Sequence, residues 1–333
     1  MHLALLFEIR PSHSSAIYPP DLFAEFESAE TIQAIALALE ELGHAVTLID
    51  SQKAPLESLL RMRQSLDLVV NCSVGLGSRT RELLPAAICE TLAIPYTGSD
   101  AMAQAIAANK HLAKLIARAA GVPTPHWAVA GSVEEVCGAA IASQRVIIKP
   151  ICEGSSIGVT GPIDMDVDRR TLIKEAERVL VTYKQPIIIE QFIAGFEITV
   201  PILGNPPRPL TPVGLSLHSS LSLGDRIFDS SAKQDPNAAT WHASLPFPSI
   251  LLEHLKFLGL QVHKALGCVD LSRSDFRVTP EGKPYFVEIN ATPQLSPYGS
   301  SFSASARAEG MSFTDLMGAI VETARRRLRL AGG

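Results

Sequence analysis

The sequence lacks a long hydrophobic run. None of the apolar stretches in its 333 residues approaches the roughly 18 residues that a membrane-spanning helix requires. The first residues, MHLALLFEIRPSH, contain an apolar run of only about five residues, which is shorter than the core of a signal peptide. We therefore expect neither a membrane anchor nor a signal peptide.

A strong excess of either charge is also missing. The 29 lysines and arginines are outnumbered by 34 aspartates and glutamates, which gives a net charge of −5. Without a basic field, we expect no nucleic-acid partner and no membrane partner. A small polyanion would have to be held by a few local cations. The arginines within 325–329 are typical of a helix C-terminus, where cations offset the helix dipole.

The five cysteines are scattered and form no CxxC pair. This pattern disfavours a disulfide framework and a zinc site, and it points to a reduced, cytoplasmic protein. Cys72, Cys89, Cys137 and Cys268 are expected to be small core residues. Cys152 lies in a polar loop of glycine and serine, where we expect the thiol to be accessible.

The sequence does contain enough apolar material, 47% of its residues, for sizeable cores. A buried strand at 3–9, an amphipathic helix at 28–42 and strands at 45–49 and 67–71 alternate along the first part of the chain. Such alternation predicts a mostly parallel sheet. No GxGxxG follows the first strand, so a dinucleotide-binding site has no support.

Apolar spacing and capping residues predict the remaining elements. They are helices at 101–107, 109–121, 168–182, 249–266 and 314–329, and strands at 145–149, 186–192, 196–203, 273–278 and 284–290. Boundaries are expected near residue 98 and at Gly195. The predicted class is α/β (α+β) with three domains, 1–98, 99–194 and 195–333.

The segment RVIIKPICEGSSIG, residues 145–158, combines a strand-end lysine with a small-residue loop. Lys149 ends the strand, and Gly154, Ser155, Ser156 and Gly158 follow. Small residues let backbone N–H groups approach a phosphate, and the lysine neutralises its charge. The segment therefore predicts a phosphate-binding loop, the alternative being a surface lysine beside a turn.

Glu190 ends the very apolar strand PIIIE, where an acid that only faces solvent is less expected. A carboxylate with adjacent backbone groups at a strand end can recognise an adenine amino group and ribose hydroxyls. The alternative is a carboxylate paired with a lysine at the edge of the core.

Two predicted strands within RSDFRVTPEGKPYFVEIN carry oxygen ligands. Arg273 and Asp275 share one face of the first strand, and Glu288 and Asn290 share one face of the second. The segment TPEGK suits a hairpin turn, so the strands can pair and the three oxygen side chains can converge beside the arginine. Hard oxygen ligands of this kind suit Mg²⁺, which keeps substrate phosphates in its other positions.

Together these motifs resemble the D-alanine–D-alanine ligase family of the ATP-grasp superfamily. The matching stretches are Arg81–Lys110, Gly121–Pro125, Val146–Gly158, Ile188–Asn205 and Ser274–Pro297. The combination of IPYTGSD, KPxxEGSSIG and DFR…EIN is specific to that family, and the resemblance covers most of residues 66–325. It implies an ATP-grasp fold with an N-terminal parallel-sheet domain, a central small α+β domain and a C-terminal mixed-sheet domain.

The resemblance also implies roles for individual residues. The set that corresponds to the family's ATP-binding residues is Lys110, Lys149, Glu153, Ser155, Ser156, Glu190, Gln191, Phe192, Ile193, Glu197 and Lys233. The residues similar to the family's metal ligands are Asp275, Glu288 and Asn290, for Mg²⁺ or alternatively Mn²⁺. The catalytic residues implied are Arg273, Ser155 and the mobile-loop Lys233. The residues implied on the amino-acid side are Ser300, Gln234 and Glu25.

The activity implied by the resemblance is ADP-forming ligation of two amino acids. ATP phosphorylates one carboxylate, and the amine of the second amino acid attacks the acyl phosphate. The resemblance further implies small-molecule substrates, a role in peptidoglycan and cell-wall synthesis, a cytoplasmic location and a homodimer.

The departures from the family pattern lie on the amino-acid side. The N-terminal loop that normally carries an ammonium-binding glutamate is absent, and Glu8, Glu25, Glu27 or Glu30 could take its place. Gln234 stands where the family has a mobile-loop tyrosine, so two members of its glutamate–serine–tyrosine triad are missing. Gln294 replaces a usual glycine. D-alanine would therefore not be held in the usual way, because a buried ammonium needs a counter-charge.

Three alternatives to D-alanine ligation follow. The first is a ligase of the same mechanism that acts on a different amino acid or a specialised metabolite. The second is a homologue that binds ATP but has no catalytic activity. The presence of the complete set of phosphate-binding and metal-binding residues argues against it. The third is another ATP-grasp reaction, such as biotin-dependent carboxylation or glutathione-like synthesis, from which GSSIG and IPYTGSD point away.

Overall fold

Three separate β-sheets organise the chain in the computed structural model. The structure describes residues 1–11, 18–138, 145–165, 169–217, 222–224, 226–227 and 239–331. The first sheet is parallel, with strand order β2-β1-β3, as the alternation of strands and helices predicts. Its strands are β1 (His2–Phe7), β2 (Ala45–Asp50) and β3 (Leu68–Asn71).

Alternate residues of β1 face two different cores, as expected for a strand that is buried on both sides. Leu3 and Leu5 pack with the first and last helices of the chain, and Ala4 and Leu6 pack with two short helices on the other side. The four helices are α1 (Ala29–Glu41), α2 (Pro55–Met62), α3 (Leu84–Thr91) and α10 (Phe313–Ala331). The C-terminal helix therefore completes the N-terminal core, which local sequence patterns do not reveal.

The second sheet is antiparallel, with strand order β4-β7-β5-β6. Its strands are β4 (Trp127–Ala130), β5 (Arg145–Pro150), β6 (Thr160–Asp164) and β7 (Ile187–Gln191). Helices α6 (Val133–Gly138) and α7 (Arg169–Tyr183) pack on it through Val136, Leu172 and Val179.

The third sheet has the path β12-β10-β8-β13-β14, with β9 and β11 also paired to β8. Its strands are β8 (Gly195–Leu203), β9 (Arg208–Pro209), β10 (Val213–Leu217), β11 (Ser222–Gly224), β12 (Ala239–His242), β13 (Leu271–Val278) and β14 (Pro284–Asn290). We expected a mixed sheet, but every pairing among its described residues is antiparallel. A tight hairpin such as the one between β13 and β14 requires antiparallel neighbours, whereas parallel neighbours need a long crossover.

Three helices cover one face of the third sheet: α4 (Ala101–Ala108), α5 (Lys110–Ala119) and α8 (Ser249–Ala265). Asp100 accepts a hydrogen bond from the Ala103 N–H and begins α4, and Asn109 accepts from the second and third N–H groups of α5. A last short helix, α9 (Ser301–Ala308), precedes α10. No described helix is long and apolar enough to cross a membrane. The domain boundaries at 98 and 195 remain predictions.

Two expectations about cysteines are wrong. Cys152 is buried, because its loop folds inward and its N–H donates to the buried side chain of Gln185. Cys137 is exposed near the end of α6. Polar neighbours in the sequence did not indicate exposure here, because the loop's hydrogen bonds are made inside the protein.

A buried aspartate joins the first and third sheets. Asp270, which is 0% exposed, accepts hydrogen bonds from the Gly98 N–H at 2.9 Å and the Asn205 side-chain amide at 2.5 Å. Arg327 of α10 binds the same carboxylate through two nitrogens, each at 2.9 Å, and also donates to the Tyr96 carbonyl. The arginine run near the C-terminus therefore contains one residue with a specific partner.

We predict that Arg327→Ala lowers the free energy of unfolding by about 2–3 kcal/mol, because it removes the cationic partner of a buried carboxylate. The matched control is Arg326→Ala, whose exposed side chain pairs only with Glu322 in the same helix and should cost about 0.5 kcal/mol or less. Urea unfolding measures both values. Equal effects of the two substitutions would contradict a specific role for the Asp270 contact.

Glu27 provides a pH test of the N-terminal core. Burial raises the pKa of its carboxyl from 4.5 to about 7, against the smaller opposing effects of the Leu295 N–H and Arg10. The folded protein therefore binds more protons than the unfolded chain between these values, so Glu27 makes stability fall as pH rises through this window.

We predict that Glu27→Gln is more stable than the wild type at pH 8 by up to about 3 kcal/mol, and that the difference shrinks towards zero at pH 4. Chemical unfolding at several pH values measures this, with the exposed Glu40→Gln on α1 as control. If the free energy of unfolding depends on pH in the same way for the wild type and for Glu27→Gln, ionisation of Glu27 does not destabilise the folded protein.

Candidate active site

A cleft lies between the second and third sheets. Strands β5 and β7 and the loop after β5 form one wall, strands β8, β13 and β14 form the other, and the first residue of α5 reaches in from the side. The sequence-predicted residues that line it are Lys110, Lys149, Glu153, Ser156, Glu190, Gln191, Phe192, Ile193, Glu197, Asp275 and Glu288. The structure thus brings together most of the predicted ATP-binding and metal-ligand residues.

Strand register places Lys149 beside Glu190. In the β5–β7 pair Ile147 is opposite Glu190, and Lys149 lies two residues further on the same face. The Lys149 Nζ donates to Glu190 Oε1 at 2.8 Å. Glu190 is thus a carboxylate paired with a lysine, which is the second of the alternatives drawn from the sequence, and it also lines the cleft. Its recognition of adenine and ribose remains a prediction.

A second lysine, Lys114, was missed by sequence reasoning. Its Nζ lies 2.6 Å from Glu190 Oε2, and its side chain is 0% exposed. Burial opposes ionisation of Glu190, but Lys114 and Lys149 outweigh it and hold the pKa of the carboxyl below its usual value. The signal was present, because Lys110 and Lys114 are i, i+4 on α5 and therefore share a helix face.

The hairpin of β13 and β14 aligns the predicted metal ligands. Asp275 is opposite Glu288 in the register, and Arg273 is opposite Asn290. Arg273 binds Asp275 with two nitrogens, Nε at 2.9 Å and Nη2 at 2.7 Å. The Asn290 amide donates to Asp275 Oδ2 at 3.2 Å, and the Thr199 hydroxyl donates to the other oxygen.

Glu288 pairs with Lys110 across the cleft. The Lys110 Nζ lies 3.1 Å from Glu288 Oε2 and also donates to the Glu153 carbonyl. Burial opposes ionisation of Glu288, but the lysines Lys110 and Lys149 outweigh it and lower the pKa of Glu288 to about 2. Glu288 is therefore a permanent anion at neutral pH.

The hairpin set fits magnesium by its chemistry. Among the described residues no group of three or more histidines, cysteines, aspartates and glutamates is arranged to hold a metal ion. Asp275, Glu288 and Asn290 instead offer two carboxylates and one amide. Mg²⁺ is commonly held by one or two carboxylates, with water and phosphate oxygens in its other positions, so the donor set suits Mg²⁺ bound together with a phosphate.

The loop after β5 carries two non-glycine residues in a left-handed conformation. Ser155 has φ 48° and Ser156 has φ 62°. Such backbone conformations are costly and are concentrated at functional sites. The Gly158 N–H in the same loop donates to Asp21 at 3.0 Å, and the Tyr183 hydroxyl donates to the same carboxylate at 2.7 Å. The N-terminal segment 18–27 therefore holds this loop in place.

Arg81 is a second functional candidate that sequence reasoning missed. It is 2% exposed, and its Nη2 pairs with Glu25 and, at 2.9 Å, with Glu153. Glu82 lies 3.7 Å away, and burial together with the charge of Glu25 raises the pKa of Glu82 to about 8. No local pattern marks Arg81, because its partners come from segments far away in the sequence.

The structure separates the four candidates for the ammonium-binding acid. Glu25 lies against Gly154 in the loop after β5. Glu8 is buried, and its carboxylate accepts from the Ser73 hydroxyl and from the N–H groups of residues 74 and 75. Glu27 is buried in the N-terminal core, and Glu30 is exposed on α1. Of the four, Glu25 is the one in contact with the cleft loop.

The end of the cleft near residue 192 is enclosed by aromatic and cationic side chains. Arg145 and Arg277 lie over the Phe192 ring, with guanidinium carbons 5.1 and 5.5 Å from its centre. Arg277 also donates to the Ile193 carbonyl at 2.9 Å and lies 3.8 Å from Glu197. This end of the cleft offers a flat, partly apolar surface.

The remaining predicted residues that the structure describes do not line the cavity. Ser155, Arg273, Asn290 and Glu25 lie in or beside the cleft elements without lining the cavity itself. The Ser300 hydroxyl caps α9, where it accepts from the Ser303 N–H at 3.1 Å and donates to the Ser296 carbonyl.

Lys233 and Gln234 lie outside the described residues. Gln294, the third departure from the family pattern, donates weakly to the Glu25 carbonyl at 3.4 Å. It therefore contacts the same N-terminal segment that holds the loop after β5.

Comparison with known proteins identifies the family. Residues 117–322 match the family model described as D-ala D-ala ligase C-terminus. The chain is 30% identical over 307 residues to a D-alanine--D-alanine ligase of Synechococcus sp. strain JA-2-3B'a(2-13), covering 91% of this chain and 90% of that protein. The chain belongs to the D-alanine–D-alanine ligase family. A ligase of the same name from Gloeobacter violaceus is 31% identical over 298 residues, or 87% of this chain and 92% of that one.

Solved structures of the family share the ATP-grasp fold of this chain. The D-alanine--D-alanine ligase from Bacillus anthracis complexed with ATP has a TM-score of 0.75 at 21% identity and covers 100% of both chains. The VanG D-Ala:D-Ser ligase from Enterococcus faecalis has a TM-score of 0.71 at 17% identity, over 97% of this chain and 99% of that one. The predicted fold class is confirmed.

Gly154 provides a structural test of the Glu25 contact. A methyl group at Gly154 would overlap Glu25 Oε1, so Gly154→Ala must push Glu25 away from the buried Arg81. We predict a loss of about 1–3 kcal/mol in the free energy of unfolding. The double variant Gly154→Ala/Glu25→Ala should be more stable than the sum of the single effects indicates, because the smaller residue leaves room for the methyl group.

The control for this test is Gly138→Ala on α6, where an added Cβ meets open space. It should leave stability unchanged or raise it, as alanine usually does in a helix. Strict additivity of the Gly154 and Glu25 substitutions would show that these residues do not contact one another.

Proposed function

We propose that this protein is an ATP-dependent, ADP-forming ligase that joins the carboxylate of one amino acid to the amine of another, with D-alanine as the first substrate to test for both. The observation that carries the proposal is the cleft, where two lysines, an adjacent carboxylate and the Asp275–Glu288 hairpin face one space. Relatives about 30% identical over most of their length are named D-alanine--D-alanine ligases, which supports the choice of substrate.

The nucleotide end of the proposed site is formed by the facing strands of the second and third sheets. Glu190, Gln191, Phe192, Ile193 and Glu197 would bind adenine and ribose at the partly apolar end of the cleft. Lys110, Lys149, Ser155, Ser156 and Lys233 would bind the phosphates, with Glu153 supporting the loop after β5. Asp275, Glu288 and Asn290 would hold Mg²⁺, for which Mn²⁺ could substitute. When bound, Mg²⁺ neutralises phosphate charge and so favours attack at phosphorus.

The proposed reaction has two steps. A carboxylate oxygen of the first amino acid attacks the γ-phosphorus of ATP, and ADP leaves. The neutral amine of the second amino acid then attacks the acyl carbon, and the C–O bond to phosphate breaks. The nitrogen loses one proton as the amide forms, and this proton leaves with the inorganic phosphate as hydrogen phosphate. Arg273, which donates two hydrogen bonds to Asp275, would offset the negative charge that develops in both steps.

We propose Glu25 as the counter-charge for the ammonium group of the first amino acid and Ser300 as a ligand of the carboxylate of the second. Gln234 is also proposed to act on the amino-acid side of the site. One observation favours a ligase of the same mechanism with different substrates. Glu25 is paired with the buried Arg81, so its charge is partly compensated before any substrate binds. A solved structure of similar fold is named a D-Ala:D-Ser ligase. This supports the view that the second amino acid differs among proteins with this fold.

Assembly and location belong to the same proposal. The family resemblance supports a cytoplasmic homodimer that supplies a peptidoglycan precursor.

The direct test is amino-acid-dependent ADP release, measured with a coupled assay over a panel of D- and L-amino acids, with mass spectrometry of the product. We expect ADP and a dipeptide in equal amounts for at least one pair. ATP binding without amino-acid-dependent turnover for any pair would favour a silent homologue and would overturn the proposal.

Glu288→Gln should lower kcat by about 10² or more, because it removes a group that holds the phosphate-bound cation in the charged transition state. The matched control is Glu281→Gln in the turn of the same hairpin, which is exposed and should keep the wild-type rate within about twofold. The Mg²⁺ concentration for half-maximal rate should rise only for Glu288→Gln. If Glu288→Gln has the kcat and Mg²⁺ dependence of the wild type, Glu288 is not part of the proposed site.

A further inference from the structure

Glu190 is held between two lysines that differ in their access to the cleft. Lys149 Nζ contacts Oε1 at 2.8 Å, and Lys114 Nζ contacts Oε2 at 2.6 Å. Lys149 lines the cleft, whereas Lys114 does not. Lys114 is 0% exposed and lies behind the carboxylate as seen from the cleft, in the core between α5 and β14.

Lys114 is anchored independently of Glu190. Its Nζ donates to the Phe286 carbonyl at 3.2 Å and lies 5.8 Å from the centre of the Phe286 ring. Its helix position also fixes it, because it lies one turn after Lys110 and between the fully buried Ala113 and Ala117. The ammonium group therefore has a fixed place on the core side of the carboxylate.

The two lysines carry one positive charge more than Glu190 can compensate. Burial lowers the pKa of Lys114 to about 8 against the opposing effect of Glu190, which shows how closely this charge is balanced. Lys114 alone can neutralise Glu190, so this carboxylate does not require Lys149 to remain in contact with it. Lys149 also stabilises the charge of Glu288, which has Lys110 as a direct partner. If Lys114 were absent, moving Lys149 away would leave a buried, unpaired carboxylate, which is strongly unfavourable.

We propose that Lys114 is a positioning residue for nucleotide binding: it remains as the counter-ion of Glu190 so that Lys149 can leave that carboxylate for the ATP phosphates. This inference rests on the proposed function only in that ATP is the nucleotide. Lys114 touches neither ATP nor the amino acids. It acts through Glu190 and thereby determines how easily Lys149 is released.

The test measures the Kd of Mg-ATP by calorimetry, without amino acids, so that it does not depend on ligase turnover. Lys114→Met should raise this Kd by about tenfold or more, because Lys149 becomes the only cation beside Glu190. Arg118→Met, an exposed cation one turn later on α5, is the matched control and should change the Kd by about twofold at most.

The decisive comparison removes the carboxylate. Once Glu190→Gln has made this side chain neutral, Lys149 has no ion pair to leave. Lys114→Met should then have no further effect, so Glu190→Gln and Glu190→Gln/Lys114→Met should bind Mg-ATP with the same Kd within about twofold. The double variant removes both charges of the buried pair and is expected to fold even where the single Lys114→Met does not.

Three results would overturn the inference. One is a folded Lys114→Met variant that binds Mg-ATP like the wild type. Another is a further loss of affinity when Lys114→Met is added to Glu190→Gln, which would mean that Lys114 acts on the nucleotide or the fold directly. The third is a wild-type protein that binds no Mg-ATP, which would overturn the proposed function as well. Binding with normal Lys114 coupling but no ligase turnover would overturn the proposed function alone.

Discussion

The structure depends on neutralising charges in a place that water barely reaches. Glu190 is 1% exposed, and a carboxylate at that depth is tolerable only with a cation in contact. Its two lysines come from β5 and α5, and Glu190 itself comes from β7, so satisfying one charge requires three elements in fixed relative positions. The same need places Lys110 of α5 on Glu288 of β14. Charge pairing thus works together with the apolar cores to define how the second and third sheets meet.

Helix α5 is the element that connects these pairs. One turn separates Lys110, which reaches the hairpin, from Lys114, which reaches β7, so a single rigid helix sets the distance between the two carboxylates. Before any ligand binds, the cations of the cleft already have anionic partners within the chain. A polyanion that enters the cleft must replace these carboxylates as the partner of each cation. The free energy of its binding therefore depends on which cation each carboxylate still has in contact afterwards. The burial of Glu190 therefore affects the proposed binding of phosphate in the cleft.

The two ends of the cleft are built from different parts of the chain. The end proposed to bind the nucleotide comes from β5, β7, β8 and the β13–β14 hairpin, all within the residues that match the family model. Glu25 and Arg81 lie beside the opposite end, against the loop after β5, and form their own buried ion pair. Both come before the matched residues. Gln294, one of the departures from the family pattern, contacts this second region through the Glu25 carbonyl. Phosphoryl chemistry constrains the first end tightly, because ATP does not vary, whereas the second end has to fit only the amino acids that this protein uses.

Elements and motifs whose cause is local could be predicted from the amino-acid sequence. Alternation and capping predicted the parallel N-terminal sheet and the starts of α4 and α5, and a period of two placed Asp275 and Glu288 on matching faces of one hairpin. The long-range pairings could be seen only in the folded chain: α10 on the N-terminal core, Arg81 against Glu25, and Lys114 behind Glu190. The burial of Cys152 within its polar loop also became apparent only there. The physical reason is that capping, turns and periodicity act between residues a few positions apart, whereas a buried charge takes its partner from whichever segment the fold brings within about 3 Å of it.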